Sequence, residues 1–166
     1  MQPRIDDKVG HHLINTLTCN KLSDNAKGQL HYQLWQNNDD QSFAWALSHN
    51  ESSGGFSREL IHVEHIMTVL TKLDQTAHPF HATAFKCLFV GKSVNNASFF
   101  AALLVDQGVI RLHPQTTRLL EVSEEYASWP MSLVEHTQDK STNKRGAKTK
   151  TPTEKEDGNA VHQDQL

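Results

Sequence analysis

The sequence predicts an α+β fold with a winged-helix-like core, three helices and a two-stranded wing, preceded by an N-terminal helix and a β-hairpin and followed by a disordered polar tail. Three observations carry that expectation. Residues 78–123 read as helix, turn, helix and two short strands, residues 29–36 and 42–48 carry large apolar side chains at period two, and apolar residues become sparse beyond about residue 136.

From the N-terminus, Val9, Leu13, Ile14 and Leu17 recur at helical spacing, which predicts a helix over roughly residues 6–18. Leu30, Tyr32 and Leu34 then alternate, as do Phe43, Trp45 and Leu47, with Asn37, Asn38, Asp39 and Asp40 between them. This is a hairpin with a turn of four or five residues. Trp35 is out of phase with Leu34 and is expected to be exposed, a candidate interface residue. The stretch NESSGG at 50–55 is a loop. Leu60, Val63, Met67, Leu70 and Leu73 predict a helix between Ser57 and Asp74, with Ser57 as its N-cap.

Pro79 opens the next helix, in which Phe85, Leu88 and Phe89 share a face, and Gly91 breaks it. Asn95 or Asn96 caps a further helix whose stripe is Phe99, Phe100, Leu103 and Leu104, and Gly108 ends it. Residues 109–113 and 118–123 form the wing around a turn of Pro114, Gln115, Thr116 and Thr117. Tyr126 is expected to pack back on the wing or first helix, and Trp129 with Pro130 closes the folded part. The expected organisation is thus 1–56, helix plus hairpin packed on the core; 57–135, the winged-helix-like core; and 136–166, a polar segment too poor in apolar residues to offset its ordering entropy.

Helix, turn, helix and wing is a geometry used to read DNA, so the candidate nucleic-acid contacts are Lys86, Lys92, Asn95, Asn96, Ser98, Arg111 and Arg118. Lys140, Lys144, Arg145, Lys148 and Lys150 have no acid between them and are candidate phosphate contacts from the tail. Charge gives a divided answer. Residues 1–135 carry 10 Lys and Arg against 14 Asp and Glu, yet between Ala82 and Arg118 only Asp106 opposes Lys86, Lys92, Arg111 and Arg118. The second helix of the pair offers asparagine and serine to a duplex but no arginine. Duplex DNA is the expected partner, in a regulatory or accessory role, with a protein-protein adaptor on the same fold as the alternative reading.

Other chemistries find little support. His62-Val-Glu-His65 and His78-Pro-Phe-His81 space two imidazoles three residues apart, and Glu59-Leu-Ile-His62 resembles half of a di-iron motif. Only one such copy exists, and these residues flank the apolar stripe, so no metal is expected. Gly91-Lys92-Ser93 resembles the end of a phosphate-binding loop, but the glycine required five residues earlier is Lys86. No nucleophile motif is present, so no catalytic residue and no cofactor are expected. Cys19 and Cys87 belong to no C-x-x-C pair. With neither a long apolar stretch nor a signal-like N-terminus, the expected location is cytoplasmic, away from membranes.

Overall fold

The computed structural model describes residues 8–116 and 118–138. It is a mixed α+β structure built on a four-stranded antiparallel sheet in the order β1 (His11–Asn20), β2 (Gln29–Asn37), β3 (Phe43–Asn50) and β4 (Ile61–His62). Helix α1 (Val63–Thr76), a 3₁₀ turn (Ala82–Leu88), helix α2 (Asn96–Asp106), a ribbon of β5 (Ile110–Leu112) and β6 (Leu120–Val122), and the short α3 (Trp129–Ser132) complete it.

The hairpin of β2 and β3 forms as the alternation requires. Tyr32 faces Leu47 and Leu34 faces Trp45, all buried, while the Asn37 side chain accepts from the amides of Asp39 and Asp40 to close the turn. The helix expected over residues 6–18 is instead the strand β1. A bulge between Leu13 and Asn15 shifts the alternation by one residue, so the apolar positions on either side of it fall at intervals that mimic a helical face. β-branched Ile14, Thr16 and Thr18 suit the pleated strand, with Ile14 and Cys19 turned into the core.

The helix expected from Ser57 begins only at Val63. Residues 57–60 are irregular, and Ile61 and His62 pair with Trp45 and Ala44 as the fourth strand, so one sheet runs through the expected boundary at residue 56. Ser57 caps nothing; its hydroxyl donates to Glu59. The segment from Pro79 forms a 3₁₀ turn rather than an α-helix. The span of α2 agrees closely with expectation, although neither Asn95 nor Asn96 caps it with its side chain, and Gly108 follows at φ +72°, where a Cβ would be strained. The ribbon also forms, with Ile110 opposite Val122 and Leu112 opposite Leu120.

The main core joins these elements, from Ile14 on β1 through Tyr32, Trp45, Ile66, Leu70, Phe85, Phe100 and Ile110 to Leu133. α2 runs through its middle: eight of its eleven residues are buried. Trp129 closes the end of the structure, stacked parallel to Trp45 with ring centroids 6.3 Å apart, and Tyr126 is half-buried against the same core. Trp35 is half-buried on the other face of the sheet with Ala44, Ala46 and Leu60, rather than exposed. The polar segment expected at 136–166 lies almost wholly outside the described residues.

Candidate interaction surface at the start of α2

Between the 3₁₀ turn and α2 the chain makes a short loop, and Phe89 anchors its first end by packing edge-on to Phe100 at 5.5 Å. Beyond Phe89 the loop is held by polar groups from residues 55–59. The Glu59 carboxylate, 7% exposed, accepts from the amides of Val90 (2.8 Å) and Gly91 (3.0 Å) and from the Ser57 hydroxyl. The Asn96 side chain, 2% exposed, accepts from the Ser57 amide (2.7 Å) and donates to the Gly91 carbonyl (3.2 Å). Ser93 and Asn95 both donate to the Gly55 carbonyl.

Buried polar groups with all partners in place fix one conformation, because any other leaves a desolvated donor or acceptor unpaired. Gly91 is required here by space. A Cβ at this position would stand 2.9 Å from the Ser57 Cβ and 3.0 Å from Glu59 Oε2. Above this fixed base the loop presents Val90 and Val94, 64% and 92% exposed, with the exposed Lys92 between them.

The expected nucleic-acid contacts divide accordingly. Asn96 is committed to the loop's foundation and withdrawn from solvent. Asn95 is half-buried on Gly55, and the Ser98 hydroxyl donates to the Asn95 carbonyl. Lys86 and Lys92 are exposed. On the ribbon, Arg111 pairs with Glu121 at 3.1 Å, and His113 approaches the same carboxylate at 3.7 Å. Arg111 lines a depression with Asp74, His78 and Glu121, whereas Arg118 lines a different one with Asp24, His81 and Leu112. The ribbon therefore does not gather its two arginines on one face. The tail candidates Lys140, Lys144, Arg145, Lys148 and Lys150 lie outside the described residues.

The histidine motifs separate too. Glu59 and His62 share no helix, since Glu59 lies in the irregular stretch and His62 is the N-cap position of α1. His62 packs between His11 and His65, with ring centroids at 6.1 and 5.8 Å. Burial first, then the charges of His65 and His11, push its pKa below the usual value. Among the described residues no three His, Cys, Asp or Glu side chains converge as metal ligands, and no helix is long and apolar enough to cross a membrane. Cys19 is buried and Cys87 exposed, both as free thiols.

No protein-family model, curated protein or solved structure matches this chain. Its own geometry is what bears on function.

Sequence reasoning missed Glu59, Val90 and Val94. Glu59 reads as the solvent face of a helix that does not exist there, and valines beside Gly-Lys-Ser carry no local mark of exposure. Only the glycine at 91 signalled an unusual backbone at this loop.

Proposed function

We propose that this protein is a non-catalytic protein-binding module that docks through the loop Val90–Val94, on a winged-helix-like arrangement of α1, the 3₁₀ turn, α2 and the β5–β6 ribbon. The observation that carries this reading is a pre-formed loop presenting two exposed valines around a lysine over a base of satisfied polar groups. A loop already ordered before binding loses little entropy on docking, so its apolar side chains contribute most of their burial to affinity. The burial of α2 supports the same reading from the other side. A helix with eight of eleven residues in the core has no free face to lay in a major groove.

The test places a photo-reactive side chain at Val94 in the full chain, identifies the captured protein, and measures its binding with purified components. Val94→Asp is expected to weaken that complex at least tenfold while leaving the fold intact, and Gln75→Lys on the exposed face of α1 is expected to leave it unchanged. Equal affinity for wild type and Val94→Asp overturns the reading.

A second reading, binding of duplex DNA, is favoured by one observation: Lys86, Lys92 and Arg118 are exposed and make no ion pair among the described residues. It predicts binding of labelled duplex that falls steeply with salt, for the full chain and for a chain ending at Val134. Absence of binding at low salt removes it, and binding by the full chain alone assigns the affinity to the tail lysines.

A further inference from the structure

We propose that the outer edge of β1 is a self-pairing surface, on which β1 of a second copy of this chain adds antiparallel and extends the sheet across a two-fold axis. β1 is ten residues long and stands at the end of the sheet. Alternate N–H and C=O groups of an antiparallel edge strand point away from its neighbour, and among the described residues no strand lies beside them. The group that satisfies such a row is another extended backbone.

The two ends of the sheet are not equivalent. β4 is only two residues long and turns directly into α1, which leaves little edge to pair. Monomeric proteins blunt long edges with charged side chains, proline or bulges. The stretch His11–Asn20 contains no Lys, Arg, Asp, Glu or Pro, and its one bulge, between Leu13 and Asn15, leaves residues 15–20 in unbroken register with β2.

The lack of charge on β1 and the match of its exposed side chains point to the chain's own strand as the occupant. A two-fold axis normal to the sheet keeps the α2 side of both copies on one face and sets residues of equal parity opposite each other. With the axis through Leu17, the exposed Thr16 of each copy faces the exposed Thr18 of the other. Threonine pairs of this kind are favourable across antiparallel strands, and no charge meets its own image. Leu13, 40% exposed on β1, adds an apolar side chain beside the edge. One paired strand with this flank is a small interface, so the dimer is concentration-dependent rather than permanent.

Sedimentation of the full chain over a concentration series, paired with amide hydrogen exchange over the same range, tests this. Mass is expected to move from monomer toward dimer while amides of β1 slow their exchange, and Thr16→Lys with Thr18→Lys is expected to keep the chain monomeric. The equally charged control, Thr71→Lys with Gln75→Lys on exposed α1 positions, is expected to dimerise as wild type does. A single monomeric mass at every concentration overturns the proposal, as does a dimer whose β1 amides exchange no more slowly than the monomer's. The exchange measurement on the wild-type chain decides the matter without any variant, so a lysine variant that fails to fold does not protect the idea.

Discussion

The two ends of α2 are held by polar networks of opposite design. At the N-terminal end the buried group is the acid: Glu59 sits under the loop and receives two backbone amides and a hydroxyl. At the C-terminal end the acid is outside. Asp106 is exposed and accepts from the hydroxyl of the fully buried Tyr32, which also accepts from Gln107 Nε2 (3.0 Å), while Trp129 Nε1 donates to Gln107 Oε1 (3.3 Å). The first arrangement fixes a surface loop from beneath. The second joins β2, α2 and α3 through neutral side chains and leaves the charge in water. A buried carboxylate persists only where donors surround it, so the N-terminal network is intolerant of change, whereas the C-terminal one has solvent as a substitute partner.

The largest expected effect is therefore at Glu59. Glu59→Ala leaves the amides of Val90 and Gly91 without acceptors and is expected to cost about 2 to 4 kcal/mol, read by chemical denaturation, with faster exchange of those two amides. Next comes Asn96→Ala, which removes one acceptor and one donor of the same foundation and is expected to cost roughly 1 to 3 kcal/mol. If either variant is as stable as wild type, the buried network is not what fixes the loop.

Smallest is Tyr32→Phe, expected to cost about 1 kcal/mol at neutral pH, because Asp106 and Gln107 can return to water. Its alkaline behaviour sharpens the comparison. Burial first, then the hydrogen bond to Asp106, push the Tyr32 hydroxyl well above its ordinary value of 10.0, and burial with the Asp106 charge pushes the Cys19 thiol from 9.0 up to about 12. Both groups stay protonated in the folded chain where the unfolded chain has released its protons. Their contribution is thus complete below pH 9 and lost progressively as pH rises from 9 through about 12. In denaturation measured from pH 8 to 11, Tyr32→Phe is expected to lose less stability than wild type, and an identical slope would place the titrating group elsewhere.

Local signals and tertiary demands can be told apart residue by residue. The hairpin was legible because large apolar side chains recur at every second position from Leu30 to Leu34 and from Phe43 to Leu47, and the turn between them is made of residues whose side chains close it. α2 and the ribbon were legible because a helix stripe, a glycine at positive φ and a proline-containing turn agree. β1 was misread because one bulged residue converts period two into an imitation of period 3.6. The start of α1 was misread because Leu60 and Ile61 are apolar for the sake of the sheet, not of the helix that follows. Of the candidate contacts, the lysines at 86 and 92 face solvent. Asn96 does not, since asparagine before a helix is equally suited to a duplex and to an internal staple, and only the position of Ser57 and Gly91 decides between them.

By itself the sequence determined a mixed α+β fold, the hairpin, α2 and the ribbon after it, since these depend on periodicities and turn residues within a few positions of one another. Only the tertiary structure decided that His11–Asn20 is an edge strand, that Glu59 is buried under a loop, and that Val90 and Val94 face solvent. The reason is that burial and pairing are set by which segments meet far along the chain, and a single side chain carries no local record of the neighbour it will find.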